Sequence, residues 1–265
     1  MCGIMGYWNL EKEAFPILID SLKRLEYRGY DSFGFATVSN SQLLTEKEVG
    51  KVSEAKCRVL PGLIGMGHTR WATHGAVTEK NSHPHKDCTG KIAVVHNGIV
   101  ENFQEIRQDL EKRGHRILSE TDTELISHLI EENLQQGSNF KDSIINVSSS
   151  LKGRNAFIAL NSNTNEMIAF RNGSPLIVGL SPATKETFIS SDIQGFVHKT
   201  NEIMYLDDNQ IAVIREIPEF FDVKTGVKIE KRLIKISLDS EQADKGDYTH
   251  FMLKEIMEQK ETLLR

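Results

Sequence analysis

The order of the predicted secondary-structure elements constrains the fold of this chain more than any other feature of its sequence. The first hundred residues predict mainly strands, apart from one helix over 13–27. Two amphipathic helices follow, over 101–114 and 121–137, and each ends at a glycine suited to a C-cap. After about residue 150 the apolar runs are short and closely spaced, which is typical of strands. This segregation predicts an α+β fold of packed layers and argues against a doubly wound parallel sheet.

The length of 265 residues suits one large domain or two small ones. We expect one domain over residues 2–237, followed by a polar linker and a helix over 238–265. That helix carries apolar residues but leads to no further domain in this sequence. A chain that stops in such a helix is expected to be a piece of a longer protein or to lack a partner.

Charge and cysteine usage exclude several classes of function. The net charge is −5, and 32 Lys and Arg are interspersed with 37 Asp and Glu. No basic stripe points to nucleic acid, and no window approaches the ~20 apolar residues of a membrane span. The amino terminus lacks the features of a secretory signal. Three cysteines make no disulfide framework, so we expect a cytoplasmic protein with one reactive thiol.

Cys2 is the first candidate for catalysis. Removal of Met1 would give Cys2 a free α-amine, whose pKa of about 7.7–8.0 makes it a usable base at neutral pH. A thiolate is a good nucleophile, and an N-terminal amine can activate a terminal nucleophile. A buried structural cysteine is the competing interpretation.

Two strand ends carry polar side chains suited to a small ligand. In GHTRWATHG, Arg70 can bind a carboxylate through two hydrogen bonds, although a solvated Arg beside a buried Trp is an equal alternative. In HNG, Asn97 and the backbone N–H of Gly98 can form an oxyanion hole, whereas a plain Asn-Gly turn is the commoner use. Asp122 can bind an ammonium group or simply cap the helix, with Glu124 placed for a capping box.

Histidines are dense in the segment 68–96, which raises the question of a metal. No HExxH or CxxC motif and no acidic ligand in register accompanies them, so we expect no metal and no cofactor. Cys57 and Cys88 lack any partner motif and are expected to be inert.

Taken together, the sequence motifs of this chain resemble those of the glutaminase domain of the glutamine–fructose-6-phosphate aminotransferases, over essentially the whole chain. The matching motifs, in order, are MCGI, LEYRGYDS, GHTRWATHG, NSHPH, VHNGIVEN, SETDTE, RNGSPLIVGL, the SD at 191–192 and HFMLKEIMEQ. The resemblance implies a four-layer α/β/β/α sandwich of the N-terminal-nucleophile hydrolase type. It also implies L-glutamine as substrate, and an isomerase domain holding fructose 6-phosphate that this chain lacks. The full-length enzyme is then expected to be a homodimer.

The resemblance also assigns roles to individual residues. Cys2 would be the nucleophile, and Asn97 with Gly98 would form the oxyanion hole. Asp122 would bind the α-ammonium group of glutamine, and Arg28 would organise the site near the nucleophile. The remaining assignments are Arg70 with Thr73 and His74 for the α-carboxylate, Trp71 as a gate for ammonia, and His83 in the pocket loop.

Three alternatives stay open at this point. Another amidotransferase of the same fold, such as amidophosphoribosyltransferase or asparagine synthetase, is disfavoured because RGYDS and HTRWATHG differ from their motifs. A silent glutamine-binding module is disfavoured because Cys2 and its candidate partners are all present. A metal hydrolase built on the histidines is the third.

Overall fold

The structure is a computed structural model that describes residues 2–237, 248 and 251–262. Its strands form two antiparallel sheets. The first sheet has the spatial order β15 (Ile234–Lys235), β11 (Glu202–Tyr205), β9 (Ile177–Ser181), β10 (Glu186–Ser190), β1 (Gly3–Trp8), β4 (Ile64–Arg70), β2 (Ser32–Ser39), β3 (Gln42–Val49). The second has the order β14 (Lys228–Ile229), β13 (Glu219–Asp222), β12 (Gln210–Ile214), β8 (Glu166–Asn172), β7 (Asn155–Asn161), β6 (Ile92–Gly98), β5 (His85–Lys86).

The helices cover the outer faces of the two sheets. The covering helices are α1 (Ala14–Arg24), α2 (Phe103–Lys112), α3 (Thr123–Gln135) and α4 (Phe140–Ser150), and a fifth helix, α5 (Phe251–Thr262), follows both sheets in the chain. The first sheet packs against α1, the second packs against α2 to α4, and the inner faces of the two sheets pack on each other. This α/β/β/α arrangement confirms the predicted fold class.

Strand β1 illustrates how one strand contributes to two of the hydrophobic cores. Side chains alternate between the two faces of a strand. Ile4 and Trp8 therefore point into the core between the sheets, whereas Met5 and Tyr7 point outward against α1. All four are buried, so β1 is apolar on both sides and lies in the middle of its sheet, between β4 and β10.

The structure differs from the sequence-based prediction at several elements, among them α1, α4 and β5. Helix α1 ends at Arg24, and a short 3₁₀ turn over Glu26–Arg28 replaces its last predicted turn. Helix α4 was not predicted, although it buries apolar side chains against α3 and the second sheet. The two-residue strand β5 is too short to give a periodic signal.

Other expectations about the chain are met where the structure describes them. Gly114 and Gly137 follow α2 and α3 with positive φ, as left-handed C-cap residues do. The predicted last helix is present as α5, while the predicted linker over 238–246 lies outside the described residues. Among the helices described, none combines the length and the apolar character that a bilayer span requires.

Candidate active site

Cys2 lies immediately before β1, at the point where the two sheets meet. Its Sγ accepts a hydrogen bond from the backbone N–H of Trp71 at 3.2 Å. Its carbonyl oxygen accepts two more, from Arg28 Nε at 3.2 Å and from Asn97 Nδ2 at 2.8 Å. Trp71 follows β4 of the first sheet and Asn97 is in β6 of the second, so the fold brings three distant segments to this cysteine.

The electrostatic surroundings of Cys2 act in opposite directions. Burial raises the pKa of the Cys2 thiol, because a thiolate is poorly solvated there. The Trp71 N–H and the positive charges of Arg70 and Arg28 favour the thiolate and offset part of that increase. The net pKa is raised, so a nearby base is needed to generate the nucleophile.

Two cavities meet at Cys2. The smaller one measures about 40 Å³, and the larger one measures about 380 Å³. Cys2, Thr73 and Gly98 line both. The smaller cavity is also lined by other predicted site residues, namely Arg70, Trp71, His74, His83 and Asp122. The larger one extends past Arg28 and Asn97. Every predicted site residue therefore contacts one or both cavities.

Arg70 holds the loop that covers the smaller cavity. Its guanidinium donates hydrogen bonds to the backbone carbonyls of His74, Gly75 and Ala76, the last at 3.2 Å. The same loop is tied from the other side, where Glu120 accepts the Ala76 N–H at 3.0 Å. Arg70 is buried, so its interpretation as a solvated surface residue is wrong.

Asp122 faces the same cavity but does not cap its helix. It occupies the N-cap position of α3, yet its side chain accepts no hydrogen bond from that helix. The carboxylate instead accepts the backbone N–H of Val100 at 2.7 Å. Glu124 accepts the N–H groups of Leu118 and Ser119, so the predicted capping box is also wrong. Asp122 is thus held in place by the segment that follows β6.

Asn97 and Gly98 end β6 as paired strand residues. Gly98 pairs with Asn155 of β7, so the interpretation of HNG as a plain turn is wrong. Its φ is +145°, and a Cβ there would lie 2.1 Å from the carbonyl oxygen of Arg154. The position therefore accepts only glycine. Both residues stand next to Cys2, as an oxyanion hole requires.

His68 determines which way the Asn97 amide points. His68 Nε2 lies 3.1 Å from the carbonyl oxygen of His96 and 3.1 Å from Asn97 Oδ1. Because both partners accept, Nε2 carries the proton, and the Asn97 oxygen faces His68. The Asn97 nitrogen is thereby turned toward Cys2. Burial lowers the pKa of His68 to about 3, so the ring is neutral.

His68 belongs to a group of four buried histidines, which we call the inner histidines: His68, His83, His85 and His96. The ring of His83 stacks on that of His68 at 4.1 Å, and its Nδ1 accepts the backbone N–H of His96 at 3.2 Å. His96 lies between Thr123 Oγ1 and Asn155 Oδ1, each at 3.0 Å. Burial lowers the pKa of all four.

Arg28 and Trp71 occupy the rim of the site. Arg28 Nη1 forms a 2.9 Å ion pair with Asp192, which also accepts the hydroxyl of Tyr27 at 2.7 Å. Asp192 was named only in the SD that matches the family, and no role was predicted for it. Trp71 is 49% exposed and approaches Tyr30, so its interpretation as a core residue is wrong. Its role as a gate stays a prediction.

Comparison with known proteins agrees with this geometry. A family described as the glutamine amidotransferase domain matches residues 68–198. Relatives named glutamine–fructose-6-phosphate aminotransferase [isomerizing] include that of Pyrococcus horikoshii, 46% identical over 98% of this chain and 44% of its own length. The relative from Acinetobacter baylyi is 44% identical over 99% of this chain and 43% of its own length. The chain thus spans less than half the length of these curated relatives.

Solved structures share the fold. The glutamine phosphoribosylpyrophosphate amidotransferase of B. subtilis, complexed with ADP and GMP, superposes with a TM-score of 0.73 at 25% identity. The match covers 85% of this chain and 50% of that one. Fold and site together define a glutamine amidotransferase domain of the N-terminal-nucleophile class. The chain belongs to this class, and it matches the N-terminal glutaminase domain of the glutamine–fructose-6-phosphate aminotransferases.

Proposed function

We propose that this domain hydrolyses L-glutamine through a thioester on Cys2 and supplies the ammonia to a sugar-phosphate isomerase domain that aminates fructose 6-phosphate. The observation that supports it most is the grouping around Cys2. A thiol lies beside two oxyanion-hole candidates, and one cavity wall presents a cation, Arg70, and an anion, Asp122. Glutamine carries the complementary α-carboxylate and α-ammonium groups.

The first step is attack by the Cys2 thiolate on the γ-carboxamide carbon. The bond from sulfur to carbon forms, and the carbonyl oxygen becomes an oxyanion. The Gly98 N–H is one donor to it. The Asn97 amide has two N–H groups, of which the Cys2 carbonyl takes one, so the second is the other donor. One donor of this type is worth about 3–4 kcal/mol of transition-state stabilisation.

The proton transfers are assigned to the α-amine of Cys2, exposed by removal of Met1. The amine takes the thiol proton and gives a proton to the leaving nitrogen as the carbon–nitrogen bond breaks. Ammonia departs, and a thioester remains on Cys2. Water then adds to the thioester carbon, the carbon–sulfur bond breaks, and glutamate leaves with the thiol restored.

Substrate selection is assigned to both ends of the α-carbon. Arg70, with Thr73 and His74 beside it, would bind the carboxylate, and Asp122 would bind the ammonium group. Holding both groups fixes the carboxamide against sulfur, which lowers the entropic part of the barrier. Glutamine with an amidated α-carboxylate should therefore react poorly, and equal turnover of that analogue would refute the role of Arg70.

The test of the proposal is the intact mass of the protein before and after treatment with a glutamine analogue that carries an electrophilic carbon in place of the carboxamide. We expect a starting mass short by one methionine and a single adduct that peptide mapping places on Cys2. Cys57→Ser should react like the wild type. An unprocessed Met1 and no adduct in folded protein would favour a glutamine-binding module without catalysis.

The acceptor requires a separate experiment, because every amidotransferase of this class releases ammonia from glutamine. The chain is combined with a protein carrying the isomerase domain, with fructose 6-phosphate and with glutamine labelled with nitrogen-15 at the amide. We expect the label in glucosamine 6-phosphate. Label in phosphoribosylamine when phosphoribosyl pyrophosphate is supplied instead would assign the domain to the other branch of the class.

A further inference from the structure

Four side chains converge on one point outside the glutamine site. We call them the four-donor cluster, and they are Cys88, His115, His128 and Glu131. Cys88 lies in the turn between β5 and β6, and His115 follows α2. His128 and Glu131 lie one turn apart on α3, and the four ligand atoms are all within 4.8 Å of one another. Three segments of the chain therefore contribute one donor set.

The distances within the cluster are those between ligands of one tetrahedral ion. The Nδ1 atoms of His115 and His128 are 3.3 Å apart, and Cys88 Sγ lies 3.8 Å and 3.5 Å from them. Glu131 Oε2 is 3.3 Å from each imidazole nitrogen. Zinc bonds of about 2.0–2.1 Å to nitrogen and about 2.3 Å to sulfur give tetrahedral edges of roughly 3.3 Å and 3.6 Å. Five of the six edges are thus close to these values.

We propose that the four-donor cluster binds one zinc ion. Hydrogen bonding explains the arrangement less well, because two imidazole nitrogens face each other and only one proton fits between them. A thiolate with two imidazoles and a carboxylate is a donor set suited to zinc, and the soft sulfur disfavours magnesium or calcium. Since the protein supplies all four ligands, the site is structural and leaves no open position for substrate or water.

The groups around the cluster support the same assignment. His128 directs Nε2 toward Glu124 Oε1 at 3.6 Å, the carboxylate–histidine pairing that orients metal ligands. The backbone N–H of Arg116 donates to Cys88 Sγ at 3.3 Å, and Gln135 donates to Glu131 Oε1 at 3.1 Å. His128 and Glu131 are buried, whereas Cys88 is exposed and gives an ion access from solvent.

A bound ion would join the β5–β6 turn, the end of α2 and the middle of α3. Asp122 occupies the N-cap position of α3, so the ion would stiffen the segment that carries one wall of the glutamine site. It would take no part in the chemistry at Cys2. The expected effect is on the stability of the fold, because metal binding to the folded state alone adds to the free energy of unfolding.

The test uses protein produced without a histidine tag, loaded with zinc and then dialysed. Mass spectrometry of the metal content should give one equivalent in the wild type and in Cys57→Ser. Cys88→Ser and His115→Ala should both hold less than about one-tenth of an equivalent after the same dialysis. Cobalt loading should give a thiolate-to-cobalt charge-transfer band that Cys88→Ser lacks. Cys88 is exposed, so this variant is expected to fold.

Two results would overturn the proposal. One is folded wild-type protein that retains no zinc after dialysis and shows no charge-transfer band with cobalt. The other is equal zinc retention by the wild type and Cys88→Ser, which would place any bound zinc elsewhere. Because neither readout involves glutamine, the outcome does not depend on the proposed glutaminase reaction.

Discussion

The inner histidines and the four-donor cluster both bring imidazole rings together, but they use the ring nitrogens in opposite ways. The inner histidines direct their ring nitrogens at carbonyl, hydroxyl and amide groups, and each ring is held in a neutral form. In the four-donor cluster the ring nitrogens of His115 and His128 face each other, together with a thiol and a carboxylate. The first arrangement positions hydrogen-bond donors, and the second is built to surround a cation.

Closeness in sequence is therefore a poor guide to metal binding. The inner histidines lie within 68–96, which made them the obvious metal candidates in the sequence. The four-donor cluster spans 88–131, and its members lie on three separate segments that only the fold brings together. Whether side chains bind a metal depends on the convergence of their donor atoms in space. Sequence spacing indicates that convergence only where the ligands share one short motif.

The largest expected effect separates the glutamine site, where the inner histidines lie, from the four-donor cluster. Cys2→Ala should lower the rate of glutamine hydrolysis by at least about 10³-fold, because the nucleophile is lost. The same variant should retain its equivalent of zinc. Ammonia release and metal content measured on one sample check both halves. Loss of zinc in Cys2→Ala would show that the two regions are not independent.

Gly98→Ala should come next, with a kcat lower by about 10²–10³-fold. The added methyl would meet the carbonyl oxygen of Arg154 and crowd His96 Nε2, which lies 2.9 Å from the Cβ position. Both the oxyanion donor and the inner histidines would move.

Gly226→Ala is the matched control for this strain. Gly226 has φ +68° and nothing within 4 Å of an added Cβ. It should cost about 1 kcal/mol of stability and leave kcat unchanged. Steady-state kinetics and thermal midpoints of both variants make the comparison, and equal activity of the two would rule out a tight oxyanion site.

Glu124→Gln should weaken zinc binding by about 10–100-fold, because it removes the charge facing His128 Nε2. Competition with a coloured chelator measures the affinity. Glu132→Gln is the control on the same helix, since Glu132 pairs with Arg113 at 2.7 Å and does not face the cluster. Unchanged affinity in Glu124→Gln would separate this carboxylate from the metal.

The last prediction concerns the stability of the fold in acid, which depends on the inner histidine His68. Burial lowers the pKa of His68 to about 3, against about 6.5 when unfolded. Between these values the unfolded chain binds the extra proton, so stability is complete above pH 6.5 and falls as the pH drops toward 3. The slope is about 1.4 kcal/mol per pH unit for one histidine.

His68→Gln keeps an amide N–H for Asn97 but removes the titration. The free energy of unfolding of zinc-free protein, measured by denaturant at several pH values, should therefore depend less steeply on pH in this variant than in the wild type. The difference in slope should be about 1.4 kcal/mol per pH unit, which corresponds to one proton. Identical slopes for the two proteins would mean that His68 is not neutral in the fold.

Much of the fold could be predicted because periodicity and glycine placement are local signals. The apolar runs over 2–7, 63–69 and 91–97 predict strands whose bounds lie within about one residue of β1, β4 and β6. Helix α4 was missed because its apolar stripe ends in a run of serines, which are weak helix formers. The tautomers of the inner histidines and the pairing of Arg28 with Asp192 depend on distant segments, so no local pattern carries them.

The hydrogen bonds of Arg70 have a consequence for substrate affinity. Its guanidinium already donates to three backbone carbonyls of the covering loop, and the cavity beside it measures about 40 Å³. Under the role proposed for Arg70, a substrate carboxylate exchanges partners with those carbonyls. The loop thus acts as a tethered competitor for the site, and the measured affinity is the difference between two occupants of the same arginine. Residues that hold the loop, such as Glu120, set that difference without contacting the substrate.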